Sequence, residues 1–130
     1  MDKNKVPELF GAFKPVNHVV VAFPSADEME AAARDLASEG FADETLVRYT
    51  PQEMVAQADR ELSHASSLAA VGQELNLVRA HRELASKGHC FLVVPVPREE
   101  QVPRVAHAAQ EHHATRAQRY GRLMIEELIE

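Results

Sequence analysis

Three stretches of the chain are apolar with almost no interruption, and helical patterns lie between them. HVVVAF, from His18 to Phe23, is β-branched and bounded by Asn17 and Pro24, which predicts a buried strand. SADE follows as a capping box, with Ser25 placed to accept from the amide of Glu28. Met29, Ala32, Ala33 and Leu36 then recur on one helical face until Gly40 supplies a left-handed stop. TLVRY, Thr45 to Tyr49, reads as the second strand. TPQE is another capping box, from Thr50 to Glu53, with Pro51 at the first helical position, where its missing N–H costs nothing. Met54, Val55, Ala58, Leu62 and Ala65 form the stripe of the helix that follows, broken around Ser63 to Ser67. A second helix is predicted from Leu68 to Ser86, stopped at Gly88.

CFLVVPV, from Cys90, is the third strand, and Val102, Val105, Ala106 and Ala109 mark one more helix near Pro103. The order contains an internal duplication. His18 to Tyr49 and His89 to Tyr120 have the same length, so the two halves are offset by 71, and each ends on an Arg-Tyr pair, Arg48-Tyr49 and Arg119-Tyr120. The two helix faces match at an offset of 73. A partner of LVRY should itself be a strand, so Arg116 to about Met124 is expected to be the fourth strand, bulged at Gly121, with a tail, MIEELIE, equally able to turn helical.

The predicted fold class is therefore α+β, a ferredoxin-like β-α-β-β-α-β sandwich with a helical insertion, residues 51–87, between strands two and three. The alternative is a three-layer, doubly wound α/β sheet, since helices separate all four strands. Residues 1–16 are expected to be a tail and 17–130 a single domain. A length of 130 residues suits one core. Twenty acidic against fourteen basic side chains, a formal net charge of -6, argue against a nucleic-acid binder. One cysteine, set in an apolar run, fits a core position in a reducing compartment, and no run reaches the length of a signal or membrane-spanning segment. A cytoplasmic protein without membrane contact is expected.

The candidate chemistry is sparse. Arg116, Arg119 and Arg122 recur every third residue around Tyr120. In a strand, Arg116, Gln118, Tyr120 and Arg122 share one face and offer a small anion charge-assisted hydrogen bonds, while Arg119 points away. Glu126 and Glu127 are the competing partners for these arginines. On the Leu68 to Ser86 helix, His81 and Arg82 lie, with Glu74, on a broad apolar arc and need partners there. Arg116, Tyr120, Arg122, His81 and Arg82 are the candidate ligand-binding residues. No catalytic residue, cofactor or metal set is read: Cys90 has no neighbouring base, and no phosphate loop, GxSxG or HExxH occurs. His107 and Glu111, one helical turn apart, are the alternative metal pair. The Leu68 to Ser86 helix carries a second stripe, Ala70, Leu77 and Leu84, which predicts a homodimer interface.

VVVAFPSADEMEAAARDLASEGF together with QRYGRLMIEELI resembles uncharacterised bacterial α/β proteins of the general-stress-protein type, whose domains open on an apolar strand, a Ser-capped Ala/Glu-rich helix and a Gly-Phe stop. The resemblance implies a fold and a stress-associated or regulatory role. It brings no catalytic residue with it. The function expected is a non-enzymatic, self-associating protein that binds a small anionic ligand; a small enzyme or metal-binding protein using His and Tyr side chains is the alternative.

Overall fold

A computed structural model of the chain describes residues 8–9, 12–13, 16–64, 72–122 and 124–129. Its main sheet has five strands: β1 (His18–Phe23), β2 (Val47–Tyr49), β3 (Cys90–Pro95), β4 (Arg116–Tyr120) and β5 (Ile125–Glu127). Among the described residues, four α-helices accompany them: α1 (Ala26–Ser38), α2 (Pro51–His64), α3 (Gly72–Ser86) and α4 (Val102–Glu111). The spatial order is β2-β3-β1-β4-β5, and every neighbouring pair is antiparallel. This excludes the doubly wound parallel sheet. The protein is thus mixed α+β, and it exceeds a plain four-stranded, two-helix unit by one strand and two helices.

Local chemistry accounts for the element ends. Ser25 caps α1 by accepting from Glu28 N at 3.2 Å, and the Glu28 carboxylate answers on the serine hydroxyl. The Thr50 box is fully reciprocal, with Thr50 N donating to Glu53 Oε1 at 2.9 Å and Glu53 N to Thr50 Oγ1 at 3.1 Å. Gly40 and Gly88 close α1 and α3 at φ 103° and 98°, a backbone region that side chains with a Cβ resist.

The pleat sends alternate residues to opposite faces. Val19, Val21, Phe23, Leu92 and Val94 pack against Met29, Ala32, Ala33 and Leu36 of α1 and Val102, Val105, Ala108 and Ala109 of α4. On α4 the buried alanine is Ala108, while Ala106, expected on that face, is only half-buried. Val20, Ala22, Val47, Tyr49, Phe91, Val93, Tyr120 and Ile125 form the opposite face and meet Met54, Leu77 and Ala85 of α2 and α3. The insert is therefore a third layer, and the helix-sheet-helix layering of the alternative fold is present on an antiparallel sheet.

Three further expectations change. Strand four ends at Tyr120 rather than near Met124. Gly121 opens a hairpin closed by its N–H on Met124 O at 2.9 Å, and the tail becomes β5, neither bulged nor helical. A Cβ on Gly121 would stand 3.0 Å from that carbonyl, which explains the glycine. Within the expected tail, Glu8–Leu9 pairs antiparallel with Ala12–Phe13, and the latter lies beside α2. Finally, Tyr49 faces Phe91 and Tyr120 faces His18 across their ladders, so His18 corresponds to Phe91, not His89. The offset of the central strands is 73, the same as that of the helices, while the Arg-Tyr strands keep 71. Both tyrosines are buried on the α2/α3 face, and Arg48 and Arg119 both point to the other.

Candidate functional site

β4 is where the sheet stops being apolar. Gln118 sits at its centre, fully buried, facing Val20 of β1. A buried amide must be satisfied on both ends. Gln118 Nε2 donates to both carboxylate oxygens of Glu127 on β5, each at 3.2 Å, which turns its Oε1 toward α3. There His81 Nε2 lies 3.2 Å away. Because Oε1 only accepts, the neutral imidazole carries its proton on Nε2 and leaves Nδ1 basic. Glu127 in turn accepts from Arg116 Nη2 at 2.9 Å. The result is a chain of contacts, His81–Gln118–Glu127–Arg116, running from the core to the surface.

His81 is held in place by more than this bond. Its ring meets Phe91 edge-on, with centroids 5.2 Å apart and planes at 65°. Burial pushes its pKa down to about 4, opposed by the Gln118 hydrogen bond and reinforced by the positive charge of Arg116. The imidazole is neutral at physiological pH, so it does not act as a cation for an anionic ligand.

Two depressions adjoin this chain. A narrow recess between α2, α3 and the sheet is lined by Met54, Gln57, Glu61, Val78, His81 and Tyr120, among others. Gln57 and Glu61 are buried there. Gln57 Nε2 donates to Glu61 Oε1 at 3.2 Å, while Arg60 donates to the Gln57 carbonyl. A wider, open cleft lies beside it, formed by Asn76, Leu77, Arg116, Ile125 and Glu127. Arg116, one of its lining residues, engages Glu127 through one terminal nitrogen of its guanidinium.

The five candidate ligand residues are thus only partly brought together. Arg116, Tyr120 and His81 lie on the α2/α3 side, and Gln118 links His81, through Glu127, to Arg116. Arg82, the next residue on α3, points away from the sheet and pairs with Asp59 of α2. Arg122 is exposed in the β4–β5 turn, beyond the strand that was expected to align it. Arg119 lies on the opposite face, both of its terminal nitrogens on Glu99 at 2.7 and 2.6 Å and one of them 3.5 Å from Glu126, with its Nε buried and unpartnered. Its counterpart Arg48 is likewise taken by Glu30 and Asp43, each at 2.9 Å. The arginines are mostly neutralised by acids, as the competing reading of this segment has it. His107 and Glu111 are exposed on α4, 3.2 Å apart.

Gln118, Glu127, Gln57, Glu61 and Asn76 were not among the candidates. Period-two alternation does place Gln118 on a face with Arg116 and Tyr120. Its partner His81 is 37 residues away, and nothing local signals the pair. Among the described part of the expected dimer stripe, Leu77 is buried in the chain's own core and Leu84 packs against it, because α3 turns that stripe toward the sheet. The interface expected there is therefore corrected; Ala70 and the start of the expected helix at Leu68 lie outside the described residues. Among the described residues, no helix is long and apolar enough to cross a membrane.

Comparison of the chain with protein-family models, with curated proteins and with solved structures finds no match.

Proposed function

We propose that the protein is a non-enzymatic binding module of the reducing cytoplasm, built on a ferredoxin-like β-α-β-β-α-β core, which takes a small carboxylate or phosphate in the open cleft between α3 and β4–β5. What supports the core is the antiparallel order β4-β1-β3-β2, with α1 and α4 together on one face; α2, α3 and β5 are then elaborations. What carries the ligand reading is Arg116, a cation lining an open cleft, with one terminal nitrogen on Glu127 and a planar fork suited to an oxyanion. Asn76 lines the same cleft and can add an amide hydrogen bond to a bound oxyanion. Cys90 supports the non-enzymatic reading: it is buried, and desolvation, with the Glu30 carboxylate, pushes its thiol above the ordinary range.

The test is titration of the protein with succinate, citrate and inorganic phosphate, followed by amide chemical shifts. Saturable shifts at Asn76, Arg116 and Glu127 are expected for at least one of these anions, lost in Arg116→Ala and retained in Arg82→Ala. No saturable shift with any of the three, or shifts that Arg116→Ala leaves unchanged, overturns the assignment.

A further inference from the structure

α1 and α4 lie side by side on the face of the sheet opposite the cleft, and the C-terminal end of α4 reaches across to α1. His112, the residue that caps α4, has left helical geometry (φ -105°, ψ 25°), and its Nε2 meets Asp35 Oδ2. Glu111, the last helical residue, sits beside them, so that one donor atom each from Asp35, Glu111 and His112 lies within 4.8 Å of the other two. One turn back along α4, His107 Nε2 stands 3.2 Å from Glu111 Oε2. One imidazole and two carboxylates from two packed helices thus converge, with His107 touching Glu111 alone.

We propose that Asp35, Glu111 and His112, with a water completing the set, form a binding site for a divalent first-row transition ion of the zinc class. Nitrogen and carboxylate ligands bind zinc at roughly 2.0–2.2 Å, which sets the edge of a tetrahedral ligand set at roughly 3.3 Å. Asp35 and His112 need to part by less than about 1 Å to reach it, and Glu111 lies within 4.8 Å of both. The His112 imidazole favours zinc, cobalt or nickel over calcium and magnesium, which take oxygen ligands. The negative end of the α4 dipole adds attraction for a cation. His113, the next residue, is not part of the set: its Nδ1 is engaged with Glu28 at 2.9 Å on another part of α1. The arrangement was only half visible in the sequence, because Asp35 and His112 are 77 residues apart.

The experiment uses the full chain without an affinity tag, stripped by chelator and titrated with Co2+, then Zn2+. One equivalent of Co2+ should produce the visible absorption of a four-coordinate site, and one equivalent of Zn2+ should abolish it. Asp35→Asn, which keeps shape and fold, and His112→Ala should each weaken binding by at least about tenfold. His113→Ala should not, and Arg116→Ala should leave the site intact, which separates this site from the cleft. Far-UV circular dichroism confirms that each variant is folded. The absence of a one-equivalent site, or equal affinity in wild type, Asp35→Asn and His112→Ala, overturns the proposal.

Discussion

On the α1/α4 face of the sheet, valines, Phe23 and Leu92 meet alanines, Met29 and Leu36, and the charged side chains that the strands place there among the described residues, Arg48, Arg119 and Glu126, are engaged in ion pairs. On the α2/α3 face, the same strands present Gln118 to His81, and α2 buries Gln57 and Glu61 beside them. Every buried polar or charged side chain among the described residues is on this second side. Apolar burial is non-directional and stabilises any well-filled arrangement, whereas a buried amide or imidazole costs free energy unless its partner stands at one distance and angle. The first face therefore supplies stability, and the second gives up part of it to hold polar groups in fixed positions beside an opening. A binding site is expected where a fold accepts that cost.

The sharpest way to break the comparison is to damage the apolar face. Leu92 is fully buried in the apolar cluster of the α1/α4 face, so Leu92→Ala removes its contacts and leaves a cavity, at a cost of about 2–5 kcal/mol. Urea denaturation should show that loss, while the contacts of Arg116 with Glu127, read from amide shifts, stay as they are. A loss below about 1 kcal/mol would mean that the face collapses freely and is not the stabilising side.

Acid should act on the other face. His81 has its pKa lowered from 6.5 to about 4 in the folded chain, so between these values the unfolded chain binds a proton that the folded chain refuses. Its contribution is complete above pH 6.5 and is lost as pH falls toward 4, on the order of 3 kcal/mol in all. Carboxylates titrate near the lower end of this window, so the comparison is with His81→Phe, which keeps a ring against Phe91. Stability curves from pH 7.5 to 4 should converge, the wild type losing more than the variant. Parallel curves would place the imidazole in water and remove the argument for a costly second face.

Much of the first face was readable in the sequence, and little of the second. HVVVAF and CFLVVPV are buried on both sides and could be recognised from composition alone; Ser25, Thr50, Gly40 and Gly88 mark helix ends by local chemistry that needs no tertiary partner. The tail MIEELIE was ambiguous because its period fits helix and strand alike. Pairing decides it: Glu126 faces Arg119, and Glu127 serves Gln118 and Arg116, across a hairpin opened by Gly121. The stripe of Leu77 and Leu84 was legible as apolar, but not what it covers, since a chain's own sheet and a second copy look alike to a single helix. His81 was recognisable as a polar group in need of a partner. That the partner is Gln118 depends on how α3 docks, which no local pattern encodes.

The smallest expected effect sharpens the comparison most, because it asks whether the two helical layers open independently. Thr50 and Glu53 satisfy each other's backbone amides at the start of α2, and replacing a threonine cap by alanine costs about 1 kcal/mol. If the α2/α3 layer is a separate cooperative unit, Thr50→Ala lowers the free energy of its opening without touching α1. Native-state hydrogen exchange should then show faster amide exchange along α2 and α3, and unchanged exchange along α1, α4, β1 and β3. Ser25→Ala, at the corresponding cap of α1, provides the reverse experiment. Its loss should appear only in global unfolding, because α1 packs on the face whose core holds the central strands together. Equal acceleration everywhere in Thr50→Ala would show that the sheet and both layers open as one body. In that case the polar face is bound as tightly into the fold as the apolar one.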